Sequence, residues 1–170
     1  MARGDIRIQD TGGRNVVPVR RFPVESGQTA INAGEPVMVA TAGELDAPLD
    51  VYVIALTDGL PLSTNSYFVG IAAADGTHTS SADGYVDVYL DLPGIIYAAK
   101  QKNTAGLSQA EIDLGTFKRY VFDLTSSSYT LDDTGTAVSS NNGLIIVGGN
   151  PDSDEWYFTT ASSATWRKDQ

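Results

Sequence analysis

Alternation of apolar and polar residues with a period of two is the feature that most limits how this chain can fold. In Tyr85–Asp91, three apolar residues (Val86, Val88 and Leu90) fall on one side of an extended chain, and tyrosines and aspartates fall on the other. This pattern is typical of a β-strand with one buried face. Further strand candidates are Pro36–Thr41, Val51–Leu56, Tyr67–Ala74, Ile95–Ala99, Lys118–Leu124, Leu144–Val147 and Trp156–Thr160. Breaks rich in glycine and aspartate separate these runs, as turns do in antiparallel β proteins.

Only one segment has the signals of a helix. Ser108 and Glu111 form a capping-box sequence, and Gly115 follows as a C-cap. The Ser/Thr/Asp-rich segment Thr125–Asn142 predicts a hairpin or loop around Tyr129–Leu131. We therefore expect a mainly β chain, folded as an antiparallel sandwich or small barrel, with one short helix and an extended N-terminal arm.

The distribution of positive charge predicts the domain organisation. Five of the eleven Lys and Arg residues occur in the first 21 positions, and none occurs in residues 22–99, which carry ten Asp and Glu. We expect residues 1–21 to be a flexible basic arm and residues 22–170 to be a single β-rich domain. The arm would dock on an acidic protein surface, the alternative being an ordinary flexible terminus. The residues assigned to docking are Arg3, Ile6, Arg7, Ile8, Arg14, Arg20 and Arg21, with the two isoleucines able to pair with the edge of a neighbour's sheet.

Composition argues against several classes of partner. The net charge of −10 is unfavourable for binding nucleic acid, which needs Lys or Arg against the phosphates. The first ten residues lack the apolar core of a secretory signal. The longest apolar run, near Ile95–Ala99, is far shorter than the ~20 residues of a membrane-spanning helix. We expect neither a nucleic-acid nor a membrane partner.

No catalytic, cofactor or metal site is assigned from the residues. The chain has no cysteine and one histidine, His78, whose polar surroundings favour an exposed loop residue over a member of a Ser–His–Asp triad. Asn150–Glu155 places oxygen atoms at alternate positions, as the start of a calcium loop does. Glu155 stands where that loop needs glycine, and Ala161 stands where it needs glutamate. A turn is therefore favoured, and a calcium ion near Asp152–Asp154 stays open.

One face of the best strand could contact a ligand. Tyr85, Asp87 and Tyr89 lie on the same side of the strand and could contact sugar or protein, although such faces are common on β domains. A glycosidase would need two carboxyl groups at a set separation in a cleft, which the sequence does not indicate. We expect no enzymatic activity.

Several short motifs follow one another in a fixed order along the chain. Gly34-Glu35-Pro36-Val37 is a G-x-P-[VL] motif, and Gly70-Ile71-Ala72-Ala73-Ala74 is a G-I-A-x-A motif. Asp83-Gly84-Tyr85-Val86-Asp87-Val88 is a D-G-x-V-x-V motif, and Gly94 supplies a late glycine. This order resembles that of the strands in the head-decoration, or cement, proteins of tailed bacteriophages. The resemblance covers residues 22–97, and residues 100–170 would make this chain a larger variant.

The resemblance implies a non-enzymatic virion protein that binds the outside of an expanded icosahedral capsid. Its partner would be the major capsid protein, whose subunits it bridges and stabilises, and it would act as a homotrimer. It would be made in the host cytoplasm and end on the capsid exterior. The alternative is a carbohydrate- or receptor-binding β module on a virion or cell surface, using Tyr85, Tyr89 and Trp156.

Overall fold

The computed structural model describes residues 6–13, 15–40, 52–56, 68–102, 106–125, 128–132 and 143–160. These residues form two antiparallel sheets and one short helix. The elements in chain order are β1 (Arg7–Asp10), β2 (Val19–Val24), β3 (Pro36–Val39), β4 (Val53–Ala55), β5 (Phe68–Ala72), β6 (Gly84–Leu90), β7 (Ile96–Lys100), α1 (Gln109–Gly115), β8 (Arg119–Thr125), β9 (Ser128–Asp132), β10 (Leu144–Asn150) and β11 (Glu155–Thr160). The predicted mainly β fold with one short helix is confirmed.

The larger sheet has six strands in the order β1-β7-β11-β10-β8-β9. This sheet curls, so that β9 at its edge comes back to the end of β7. The amide of Lys102, just after β7, donates to the carbonyl oxygen of Leu131 in β9 at 2.9 Å. Its inner face carries aromatic residues in contact, including Tyr97 stacked on Phe158 with ring centroids 5.5 Å apart. Neither sheet is a closed barrel, so the sandwich-like alternative is the one observed.

The smaller sheet has five strands in the order β2-β6-β5-β3-β4, and both of its faces carry buried side chains. Its edge strands β2 and β4 contact each other, so the sheet wraps around a mainly aliphatic core to which all five strands contribute. Val24, Val37, Val53 and Val86 in that core have no solvent exposure. Burial on both faces explains why β3 reads as a continuous apolar run instead of an alternating one.

Side chains from the smaller sheet complete the core of the larger one. Phe68 of β5 packs edge-on against Tyr97 and at a tilt against Phe122, both with ring centroids 5.9 Å away. The hydroxyl of Tyr129 donates to the carbonyl oxygen of Leu56 at 2.6 Å, which links β9 to the end of β4. The two sheets therefore share one of the two hydrophobic cores that the described residues form.

The prediction of a flexible arm over residues 1–21 is wrong for the described part of that segment. β1 pairs with β7 in the larger sheet, and β2, which begins at Val19, pairs with β6 in the smaller one. Ile6 and Val17 are 3% and 6% exposed. Apolar burial and backbone pairing hold this segment on the body, and the expected boundary between residues 21 and 22 falls inside β2.

The helix begins at the predicted capping box, but Gly115 is not its C-cap as the sequence predicts. The Ser108 side chain accepts from the Glu111 amide, and the Glu111 side chain accepts from the Ser108 amide, which completes the capping box. Gly115, however, is the last helical residue, and Thr116 is the C-cap. A Cβ atom at Gly115 would lie 2.5 Å from Cη2 of Trp156, so glycine is needed there for close packing.

We expect Gly115→Ala to lower the free energy of unfolding by about 1–3 kcal/mol, because the added methyl group overlaps the buried indole of Trp156. Helix propensity alone would favour alanine by up to about 1 kcal/mol, so the sign of the change separates the two effects. Gly148→Ala is the matched control, since its Cβ atom would meet its nearest neighbour at 3.8 Å. Urea unfolding measures both; an unchanged or raised stability for Gly115→Ala would contradict this packing.

Candidate functional site

The outward surface of β2 and β6 carries three exposed large apolar side chains among the predicted site residues and their cross-strand neighbours. Cross-strand register places Val19 opposite Tyr89, Arg21 opposite Asp87 and Pro23 opposite Tyr85. Directly opposed residues share one side of a sheet. We call this surface the β2–β6 face; its members are Val19, Arg21, Pro23, Tyr85, Asp87 and Tyr89. Val19, Tyr85 and Tyr89 are 50%, 40% and 36% exposed.

An ion pair orders the middle of the β2–β6 face. Arg21 donates from Nε to Oδ1 of Asp87 at 2.8 Å and from Nη2 to Oδ2 at 2.9 Å. Its guanidinium carbon lies 3.9 Å from the centroid of the Tyr85 ring. The hydrogen bonds from Arg21 hold the pKa of Asp87 below its usual value. Because the pair is exposed, it orients side chains more than it stabilises the fold.

An apolar groove adjoins this face and separates it from β1. The groove has a volume of about 510 Å³, and its lining includes Ile8, Val17, Ile71 and Tyr89. Val16 also lines it and is 74% exposed. Val16 of the groove and Val19 of the β2–β6 face are thus exposed beside two exposed tyrosines. Such a cluster of exposed apolar and aromatic side chains is typical of a protein-binding surface.

The described residues that were predicted to form a docking arm lie in or next to β1 and β2, around the β2–β6 face and the groove. Arg7 of β1 reaches the carboxylate of Glu155 in β11, with Nη2 2.6 Å from Oε2, and Ile8 lines the groove. Arg20 places its guanidinium carbon 5.0 Å from the centroid of the Phe22 ring. Arg7, Arg20 and Arg21 thus all have partners in their own chain. Arg3 and Arg14 lie outside the described residues.

Trp156 and His78 are less exposed than the sequence predicts. Trp156 is 1% exposed and packs against Tyr120, so it cannot take part in a surface aromatic cluster. Burial of the strand that carries it, between β7 and β10, is the reason. His78 is half buried instead of exposed, and its Nε2 atom lies 3.1 Å from the carbonyl oxygen of Thr29. It therefore joins two loops at one end of the smaller sheet.

Asn150–Glu155 spans the connection between β10 and β11, and three of its side chains accept hydrogen bonds from the protein. Oδ1 of Asn150 accepts from the Asp152 amide at 3.0 Å, and Oδ1 of Asp154 accepts from the Leu107 amide at 2.8 Å. Glu155 is held by Arg7. Among the described residues, no group of three or more His, Cys, Asp or Glu side chains is arranged to hold a metal ion.

A second apolar surface lies at the end of α1 and was not predicted from the sequence. Leu114 is 71% exposed and Phe117 is 81% exposed. Phe117 also has a φ angle of 69°, which is unfavourable for a bulky side chain. Its amide donates to the carbonyl oxygen of Ile146 at 2.7 Å, and this bond holds the turn against β10. The three-residue spacing between Leu114 and Phe117, across the end of the helix, was the available sequence signal.

Comparison of the chain with protein-family models, curated protein sequences and solved structures finds no match. In the described parts of the chain, no helix is long and apolar enough to cross a membrane.

We expect the attachment of β1 to weaken in acid. Burial alone would raise the pKa of Glu155, but hydrogen bonds from Arg7 and Ser153, together with the positive charges of Arg7 and Lys100, outweigh it, so the pKa lies below its usual value. A depressed folded-state pKa gives stability that is present above the unfolded pKa of about 4.3 and is lost as the pH falls through the folded value. Unfolding free energy measured in urea from pH 6 to pH 2.5 should therefore fall less steeply for Glu155→Gln than for the native chain. Asp152→Asn, an exposed change of equal charge in the same connection, is the control, and parallel profiles for all three proteins would refute the role of Glu155.

We expect Phe117→Gly to leave the free energy of unfolding unchanged or to raise it by up to about 1 kcal/mol. Relief of the left-handed conformation, worth about 1–2 kcal/mol, offsets the greater freedom of glycine in the unfolded chain. Lys118→Gly, next in sequence and without a positive φ, should instead lower stability by about 0.5–1 kcal/mol. Denaturant unfolding of both variants checks this order, and a larger loss for Phe117→Gly would show that the exposed ring packs on its own chain.

Proposed function

We propose that this protein is a non-enzymatic structural protein of a bacteriophage head, which binds the outer surface of the expanded capsid through the β2–β6 face and the adjoining groove. The observation that carries the proposal is the exposure of Val16, Val19, Tyr85 and Tyr89 together on a chain of net charge −10. An apolar surface of this kind on an acidic protein favours a role in protein contact.

The sequence resemblance supports the same proposal. Its three motifs fall on β3, β5 and β6, and these are neighbours within the five-stranded sheet in the order β6-β5-β3. Motifs that are separated along the chain therefore form one continuous unit. The β2–β6 face lies on this unit, at the strand that carries the third motif.

Attachment would use a preformed surface in place of a loose basic arm. Each exposed charge pair contributes about 0–1 kcal/mol, so the paired arginines could not supply the affinity. A stable interface buries about 1,200–2,000 Å² in total, with aromatic residues near its centre. The β2–β6 face would supply the tyrosines, and the groove would supply additional apolar area. Binding only to the assembled capsid would stabilise it by mass action, and the likeness to cement proteins also makes a homotrimer part of the proposal.

Carbohydrate or receptor binding is the second candidate. Tyr85 and Tyr89 are exposed on one strand with Asp87 between them, as this function requires. Burial of Trp156 removes the third aromatic residue, and the Arg21 guanidinium covers one side of the Tyr85 ring. The protein-contact proposal is therefore the better supported one.

We expect Tyr89→Asp to reduce binding to expanded phage heads at least about tenfold, because it places an unpaired charge at the centre of a buried contact. The measurement is cosedimentation of the purified protein with heads stripped of their own surface proteins. The native protein should also raise the temperature at which these heads open. Val19→Asp, opposite Tyr89 in register, should behave in the same way.

Leu114→Asp is the matched control, since it introduces the same charge at an exposed apolar residue outside the β2–β6 face. Circular dichroism and thermal unfolding establish that each variant is folded. Equal binding by all variants would refute the assigned surface, and absence of binding by the native protein would refute the capsid proposal. Binding to a glycan array, lost in Tyr89→Asp, would favour the second candidate.

A further inference from the structure

β1 is attached to the body by contacts that an identical chain could supply. It contributes four residues at the edge of the larger sheet, where β7 is its one neighbour among the described strands. Arg7, Gln9 and Asp10 are exposed, and Ile8 is half buried. The buried anchor is Ile6, just before the strand.

The connection from β1 to β2 depends on glycine. Gly12 and Gly13 have φ angles of 65° and 78°, and the amide of Gly12 donates to Oδ1 of Asp10 at 2.7 Å. Both glycines are exposed. Two successive positive φ angles are typical of a tight chain reversal, so we infer that this turn helps to direct β1 onto its own β7.

We propose that β1 exchanges between copies of this chain, so that the β7 edge of one copy accepts β1 of a second copy. The edge left open when β1 detaches is complementary to any β1, because the sequence is the same in every copy. Exchange would reproduce the pairing of Arg7 with Ala98 and Ile8 with Tyr97, the burial of Ile6 and the ion pair to Glu155. It therefore loses no contact except those of the turn.

Local concentration decides which form dominates. An isolated chain favours its own β1, which is tethered beside β7. Copies held side by side on a repeating surface would compete for each other's edges, and exchange would link them without a new interface. This use on a capsid rests on the proposed function, whereas the exchange itself does not.

Single cysteines in separate chains test the proposal, because the native chain has none. Arg7 and Ala98 are opposed in the β1–β7 pairing, at a distance of about 4.5–5.5 Å between Cα atoms that suits a disulfide. Arg7→Cys and Ala98→Cys proteins are mixed in equal amounts at increasing concentration and oxidised, and non-reducing electrophoresis measures disulfide-linked dimers. We expect dimers that increase with concentration. Arg7→Cys mixed with Leu114→Cys gives the background from random collision.

Gly13 provides the second measurement. A Cβ atom at Gly13 would have no neighbour within 4 Å, so Gly13→Val acts only through the φ angle of 78°. Valine disfavours the closed turn and leaves the exchanged form unstrained, which should raise the ratio of linked dimer to monomer about tenfold. Gly13→Asn, which tolerates this angle better, should raise it less.

The variant with both cysteines in one chain, at low concentration, should form an intrachain disulfide and so establishes that the substituted protein folds with β1 on β7. Given that result, dimers at background level in the mixture, with no increase from Gly13→Val, would overturn the proposal. Phage heads take no part in this experiment. Loss of head binding with intact exchange would therefore count against the proposed function alone, and the reverse result against exchange alone.

Discussion

Burial of both faces of the five-stranded sheet is the constraint on which the rest of the structure depends. One face encloses an aliphatic core, and the other sends Met38, Phe68 and Ile71 into the aromatic core of the larger sheet. Only a curled sheet can bury its inner face by itself, which the contact between β2 and β4 achieves. The larger sheet covers only part of the outer face. Beyond that cover, β6 carries the exposed Tyr85 and Tyr89, and β2 carries the exposed Val19.

Strand alternation could be read from the sequence wherever one face of a strand meets solvent. In β6, Val86 and Val88 are buried while Tyr85 and Tyr89 are exposed, as their spacing predicts. The pattern fails one residue after the strand ends: Asp91 is 1% exposed and accepts hydrogen bonds from the hydroxyls of Tyr97 and Thr160. Burial shifts the pKa of Tyr97 upward, and Asp91 adds to that shift.

The N-terminal strands could not be predicted because their stabilising partners are far away in sequence. A run of arginines reads as a solvated arm until Asp87 and Glu155 are placed opposite Arg21 and Arg7. The same holds for Gly115, whose requirement for glycine comes from the indole ring of Trp156. Composition indicates which residues carry charge or bulk, but tertiary pairing decides whether they face solvent.

The ion pair between Arg7 and Glu155 joins residues 148 positions apart, and this separation has a consequence for biosynthesis. β11 supplies Glu155 and also flanks β7, so the site that receives β1 is complete only after β11 has been translated and has left the ribosome. β1 must therefore wait for a strand that is translated much later. Such long-range pairing slows folding, and during that interval the nascent chains on one messenger RNA carry unsatisfied strand edges in close proximity.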